Sequence, residues 1–375
     1  MKNAFRIAAC GVVLVTGSTS AQTRRLEGPA KVHPESFSQI RGARELADGR
    51  LMVSDYIDQR VVALDFASGQ ATSLFRRGGG PAEIRLPTRL VAMPGDSTLV
   101  VDLGNQRLLV VSPTGRAVRT IPGDEPGVMG VNGVDARGAM YYAIPAWASA
   151  REFVGDTVQL IRSPKGGGAA DTLAKIVGDR MRSDIKAPAL TPRIPTVGYG
   201  ARDAWWLGSD GRLRVLRAST YTLEVYGAGA ARRTGPSNAW ETPPVTAADR
   251  RRYVEDFLAS TPTSGRGENG GMGMSPKPTE AQLQEMLAGT QFATRFPMFE
   301  AGAVHQAPGD RVWVGRPARS TVARRYDVLD ADGRIVAAME VAPGRRVLTI
   351  SRQWVYVVHT DDDGVEQVER YPLPK

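Results

Sequence analysis

The chain has 375 residues, of which 42% are hydrophobic and 23% charged, with 41 Gly and 25 Pro. This composition predicts a globular protein, because it is neither charged enough for a disordered chain nor apolar enough for a multi-spanning membrane protein. The net charge is +9, but the cations are mostly Arg scattered among 39 acidic residues. We therefore expect no nucleic-acid partner, since such partners favour cations grouped on one surface.

The first 21 residues have the pattern of a bacterial signal peptide. Lys2 and Arg6 precede an apolar run at 7–15, and small residues lead to a cleavage site after Ala21. The run is too short to span a bilayer, and no other segment approaches that length, so we expect no transmembrane span. The mature protein, residues 22–375, is therefore predicted to reach the periplasm, the cell surface or the medium. The alternative is lipid anchoring through Cys10, the one cysteine, which ends a lipobox-like sequence at 7–10.

Short apolar runs separated by turn residues predict β-hairpins from residue 41 onward. Two hairpins align without a gap, 47 residues apart: Asp55 is followed five residues later by Arg60, and Asp102 by Arg107. Each Asp ends one strand and each Arg begins the next. We expect the carboxylate and the guanidinium to pair across the turn and fix the register of the hairpin, which is a structural role.

This repeat resembles the NHL-type repeat of six-bladed β-propellers, a family represented among exported bacterial proteins. The Gly-rich segment 78–87 is similar to the connection between NHL blades, and the resemblance extends over residues 44–121. It implies an all-β fold, a six-bladed β-propeller. The strand rhythm extends it to blades at about 128–177, 195–227 and 298–341. A sixth blade has strands near 346–351, 353–359 and 365–371, and residues 24–33 supply its fourth strand, so that both termini close one domain at 22–375.

The long segments at 145–156, 178–194 and 228–297 all fall on connections that lie on one face of such a ring. Function on rigid scaffolds tends to reside in loops, so we expect the binding site on this face, near the central channel. Trp147, in the first segment, is a predicted ligand contact.

An inserted helical segment is predicted at about 236–297, between blades 4 and 5. Thr246 with Asp249, and Thr279 with Gln282, have the spacing of capping boxes, and apolar residues follow each at helical spacing. The insertion is either decoration on the rim or a lid or docking arm, in which Met272 and Met274 would be adaptable contacts.

No catalytic or metal-binding motif is evident, and no cofactor is predicted. The three histidines, His33, His305 and His359, lack zinc-site spacing. The acidic residues at 361–363 are interpreted as a hairpin turn rather than a calcium loop. Trp206 and Trp313 are expected to fill the space between sheets.

The sequence therefore predicts an exported, non-catalytic and monomeric propeller that binds a protein, peptide or glycan on its loop-bearing face. The alternative is a propeller enzyme, a metal-dependent lactonase or hydrolase or a lyase, with its site at the channel mouth. Ligands from different blades would leave no local motif, and calcium is expected only under this alternative.

Overall fold

The fold, seen in a computed structural model, is a six-bladed β-propeller, as predicted. The structure describes residues 23–125, 127–145, 157–166, 168–178, 197–227, 231–260, 263–264, 272–273, 278–318 and 322–374. The predicted signal peptide and Cys10 lie outside these residues. Each blade is a four-stranded antiparallel sheet, and we number the blades along the chain and letter the strands A to D from the channel outward.

The strand bounds follow the predicted rhythm in most of the chain. Blade 1 consists of Ile40–Glu45, Leu51–Asp55, Arg60–Leu64 and Ala71–Ser73; blade 2 of Pro87–Ala92, Thr98–Asp102, Arg107–Val111 and Ala117–Pro122; blade 3 of Val131–Val134, Met140–Pro145, Thr157–Ser163 and Asp171–Val177. Blade 4 consists of Ala204–Leu207, Leu213–Arg217, Thr222–Tyr226 and Arg232–Ser237; blade 5 of Val304–Ala307, Arg311–Gly315, Arg324–Leu329 and Ile335–Val341; blade 6 of Arg345–Ile350, Trp354–Thr360, Glu366–Pro372 and Lys31–Phe37.

The strand that completes blade 6 begins later than predicted. Lys31–Phe37, not residues 24–33, pairs antiparallel with Glu366–Pro372. Its alternation buries His33 and Phe37, and burial of one strand face fixes the register. The earlier strand Thr23–Arg25 pairs instead in parallel with Ile335–Val341 on the edge of blade 5.

The predicted bounds of blade 4, 195–227, are wrong. The blade begins at Ala204–Leu207 and ends at Arg232–Ser237, so its last strand lies beyond the predicted end. Arg232–Ser237 is largely exposed and polar, and an outermost strand of that kind gives no apolar pattern to detect. Val197–Gly198, which had been counted in the blade, pairs in parallel with Gln291–Phe292 of the insertion.

The 47-residue repeat corresponds to the turn between strands B and C. Asp55 is paired in register with Arg60, and Asp102 with Arg107. Gln59 and Gln106, the residues before each Arg, both have a left-handed backbone with φ of 53°. Two blades therefore share one turn geometry.

Buried apolar side chains of the described residues form six clusters, each between two neighbouring blades. Trp206 lies in the cluster between blades 4 and 5, and Trp313 in the cluster between blades 5 and 6. The prediction that both are core residues is confirmed. A core at every interface, including that of blade 6 with blade 1, holds the ring closed without a free edge.

The described part of the insertion contains two helices, α1 (Ala247–Ser260) and α2 (Glu280–Gly289). Both capping boxes are present. The Thr246 hydroxyl accepts from Asp249 N and the Thr279 hydroxyl from Gln282 N. In return, the Asp249 side chain accepts from Thr246 N and the Gln282 side chain from Thr279 N. Two pairs of short strands are also present: Arg76–Arg77 with Glu83–Ile84, and Thr263–Ser264 with Met272–Gly273. No helix in the described ranges is long and apolar enough to cross a membrane.

Candidate functional site

The ligand contacts predicted from sequence fall mostly outside the described structure. Trp147 and Met274 lie outside the described residues. Met272 begins the two-residue strand Met272–Gly273, and the structure does not describe the position of its side chain. The described structure brings none of the three into a site, and their role stays a prediction.

The two Asp–Arg pairs differ in geometry. Arg107 Nε donates to Asp102 Oδ2 at 2.9 Å, whereas Arg60 Nη2 lies 3.7 Å from Asp55 Oδ2. Arg60 instead bonds Glu35 Oε1 at 2.5 Å. Both Asp side chains are fully buried at the turns, and neither pair lines the cavities described below.

A cleft of about 440 Å³ lies where the connections from blade 3 to blade 4 and from blade 4 to blade 5 meet the insertion. Its lining comprises Val177, Gly178, Val197, Tyr199, Gly200, Ala201, Arg202, Tyr253, Pro297, Phe299, Glu300, Ala301 and Gly302. Connections from strand D to the next strand A share one face of an up-and-down propeller. The cleft therefore belongs to the face that carries the long segments.

A second cavity, of about 620 Å³, occupies the central channel. Strands A of blades 2 to 6 supply most of its lining, which comprises Arg89, Gly130, Asn132, Ala143, Ala204, Trp205, Trp206, Ala301, Gly302, Val304, His305, Gln306, Thr349 and Ile350. Ala301 and Gly302 line both cavities. The cleft and the channel therefore adjoin, and together they form the candidate site.

An aromatic cluster joins the insertion to the ring at the cleft. The Tyr199 ring lies 5.0 Å from that of Tyr253 in α1 and 4.6 Å from that of Phe296. Its hydroxyl donates to Asp249 O at 2.9 Å, and burial together with nearby carboxylates raises its pKa to about 12. Tyr199 also has a left-handed backbone, with φ of 59°. Such a conformation is unfavourable for a bulky side chain and is concentrated at functional sites.

Main-chain pairing anchors both ends of the insertion beside the cleft. Val197–Gly198 pairs with Gln291–Phe292, and Pro244 forms a bridge with Arg295. Val245 N also donates to Thr294 O at 3.0 Å. The insertion is therefore part of the wall of the cleft through α1.

The cleft also contains a charged pair. Arg324 Nη1 lies 2.8 Å from Glu300 Oε2. Burial raises the pKa of Glu300, and the positive charges of Arg324 and Arg202 oppose that rise. Aromatic faces beside a carboxylate and guanidinium groups suit a ligand that has both an apolar face and polar groups, such as a sugar ring or a peptide.

Positive charge dominates the channel. Arg89 Nη2 donates to Met129 O at 3.0 Å, and the Arg89 side chain is exposed in the channel. Enclosure, followed by the charges of Arg346 and Arg324, lowers the pKa of His305 well below its usual range. The described lining residues of the channel include no Asp or Glu.

The histidines lie in separate places. His33 is fully buried; its Nδ1 accepts from Glu35 N at 3.1 Å, and its Nε2 lies 3.3 Å from Gln70 O. Burial lowers its pKa. His359 Nδ1 lies 3.9 Å from Glu369 Oε1. In the described part of the chain, no three His, Cys, Asp or Glu side chains are placed to hold a metal ion together.

The acidic segment at 361–363 forms the hairpin turn predicted for it. Asp361 Oδ1 accepts from Asp363 N and Val365 N, and Gly364 has a φ of 82°. Its carboxylate is thus used to hold the turn between strands B and C of blade 6.

The candidate site lies on the face where the long segments were predicted, but its lining residues are not those proposed from the sequence. Tyr199, Glu300 and Arg89 belong to three separate parts of the chain, and none is part of a motif. The only local signal was the Gly-rich connection at 198–202, which is ordinary in a propeller.

No protein-family model matches the sequence, and comparison with curated proteins finds no match. Among solved structures, the fold is similar to a candidate exported protein of Bacteroides fragilis, with a TM-score of 0.50 and 9% identity over 94% of this chain and 99% of that one. It is also similar to a gluconolactonase of Xanthomonas campestris (TM-score 0.47, 13% identity, 92% and 91% covered) and to a virginiamycin B lyase of Staphylococcus aureus (0.43, 9%, 92% and 99%). At such low identity, the similarity shows the fold alone.

Proposed function

We propose that the chain is an exported, non-catalytic and monomeric propeller with NHL-type blades, and that it binds a peptide or a glycan at the channel mouth. The observation that carries the proposal is the pair of adjoining cavities, which share Ala301 and Gly302. The insertion contributes Tyr253 to the cleft, so the ring and the insertion build one wall together. Concave sites with apolar walls and a few placed polar groups are the usual form of ligand sites.

The test is a binding screen with a matched pair of variants. Arrays of cell-envelope glycans and of peptides are probed with the protein, and hits are titrated by calorimetry. We expect Tyr253→Ala to weaken binding several-fold, because aromatic contacts contribute about 0.5–1.5 kcal/mol beyond their buried area. Arg251→Ala, which removes an exposed ion pair with Glu280 on the same helices, should bind like the wild type. Equal affinities in all three proteins would contradict the proposed site.

Glu300 favours the alternative, a propeller hydrolase or lyase. Glu300 is a partly exposed carboxyl group with a raised pKa beside two arginines, and such a group is suited to proton transfer. If the protein is such an enzyme, incubation converts a bound glycan or peptide to products, and Glu300→Gln abolishes turnover while binding remains. Recovery of the ligand unchanged supports the binding function. Tightly held calcium in the purified protein would favour the metal-dependent form of the alternative.

A further inference from the structure

Arg89 is a channel cation with few partners. It lies in strand A of blade 2 and lines the 620 Å³ channel cavity. Its guanidinium has five N–H donors. Within the described part of the chain, its hydrogen-bond partner is Met129 O at 3.0 Å, and no carboxylate lies within ion-pair distance. Most of its donors are therefore available to the contents of the channel.

Neighbouring arginines near the channel are paired with carboxylates. Arg324 pairs with Glu300 at 2.8 Å, and Arg346 with Glu366 at 3.0 Å. Arg89 differs from both because no carboxylate of the described residues pairs with it. Its guanidinium stays charged and is exposed to the channel, with no carboxylate to neutralise it within the described part of the chain.

The surroundings of Arg89 also favour an anion. His305 lines the same cavity, and the charges of Arg346 and Arg324 disfavour its protonation, which indicates a positive potential there. Asn132, Gln306 and Thr349 line the same cavity and carry neutral hydrogen-bond donors. A cation, neutral donors and an absence of acidic residues from the described lining are what recognition of an oxyanion requires.

We propose that the channel binds an oxyanion, the carboxylate or phosphate group of a ligand, and that Arg89 is its anchoring cation. The inference rests on the proposed function, because the channel adjoins the cleft and a ligand in the cleft places its acidic group in the channel. The volume of the cavity accommodates an anion of the size of citrate.

The experiment uses citrate and inorganic phosphate as probes, titrated by calorimetry into the mature protein at constant ionic strength. We expect one-to-one binding of at least one probe, weakened at least about tenfold by Arg89→Gln, since hydrogen bonds to charged groups contribute strongly. Arg119→Gln removes the same charge from strand D of the same blade and should bind like the wild type. Binding of citrate alone assigns the site to carboxylates, and binding of phosphate alone to phosphates.

Three results would overturn the inference: no binding of either probe, full affinity in Arg89→Gln, or an equal loss in Arg119→Gln. Circular dichroism checks the fold of each variant. If Arg89→Gln does not fold, Arg89→Lys decides: weaker binding than wild type supports the site, and equal affinity contradicts it, because lysine lacks the planar fork of donors. If the protein binds neither anion but still binds a ligand in a Tyr253-dependent way, the channel inference is refuted and the proposed function stands.

Discussion

Substitution of Arg107 by Ala tests the interpretation of the repeated Asp–Arg pair. Arg107 Nε donates to Asp102 at 2.9 Å, and its Nη2 donates to Gly80 O at 2.8 Å and Glu83 O at 2.6 Å. The side chain thus ties the turn of blade 2 to the Gly-rich connection that enters the blade. Arg107→Ala removes all three bonds, and no other described side chain replaces them.

The magnitude follows from what Asp102 retains. Removal of one partner of a buried ion pair costs about 3–5 kcal/mol when the remaining charge keeps no other partner. Asp102 still accepts from Arg85 N at 2.9 Å and from Asn105 Nδ2 at 2.8 Å. We therefore expect a loss of about 1–3 kcal/mol, the range for a buried group left short of a partner.

Arg60→Ala should cost less, about 0.5–1.5 kcal/mol, because it removes a bond to Ser36 O and a partly exposed ion pair with Glu35, which solvent screens. Arg60 is 3.7 Å from Asp55, and the Asp55 carboxylate keeps bonds from Ser38 N and Gln39 N at 3.0 and 3.1 Å. The two substitutions thus differ in their expected effect on stability, although the two hairpins align in sequence.

The assay is urea unfolding followed by circular dichroism and tryptophan fluorescence, whose coincidence checks two-state behaviour. The expected order of destabilisation is Arg107→Ala, then Arg60→Ala, then Arg119→Ala, an exposed control on strand D. An Arg107→Ala midpoint equal to that of the control would refute the reasoning. An unchanged midpoint with lost ligand binding would assign the pair to a binding site.

Three further predictions concern pH, the insertion and export. Burial lowers the pKa of His33 below the ordinary 6.5. Below that pH the unfolded state therefore binds more protons, and the free energy of unfolding should fall as pH decreases. Urea midpoints between about pH 8 and 5 check this, and a pH dependence of the midpoint that is unchanged in His33→Gln would contradict it. Replacement of residues 246–290 by a short flexible linker should leave a folded ring by circular dichroism, because the anchoring strand pairs of the insertion remain, but it should abolish binding of array ligands; an unfolded product would contradict the assigned bounds. N-terminal sequencing of envelope material should show cleavage after Ala21, and a lipid-modified Cys10 would overturn this.

The fold could be predicted because propeller blades repeat local signals. Strands B and C are buried on both faces, as in Leu51–Asp55, and read as continuous apolar runs. Outermost strands lack that signal: Arg232–Ser237 is mostly exposed and polar. The error in blade 4 follows from this difference, since the predicted bounds ended before its exposed last strand, Arg232–Ser237.

The candidate site could not be predicted in the same way. Arg89, Tyr199 and Glu300 come from different blades or connections, and only closure of the ring brings their cavities together. Unusual backbone geometry also escapes sequence reasoning: nothing in the sequence distinguishes Tyr199, with its positive φ, from any other tyrosine before a glycine. Local patterns report secondary structure, whereas this site depends on long-range closure.

The insertion has both a part that local sequence patterns predict and a part that depends on long-range contacts. Its capping boxes are local, so both helices could be predicted, but its attachment depends on Val197–Gly198 meeting Gln291–Phe292, segments far apart in the chain. That pairing places Tyr253 against Tyr199 and thereby builds one wall of the cleft. Because this strand pair fixes where α1 contacts the Tyr199 connection of the ring, a change that breaks the pair should open the cleft even where both helices remain folded. Ligand affinity in the cleft is therefore expected to follow the integrity of this attachment more closely than the helical content of the insertion.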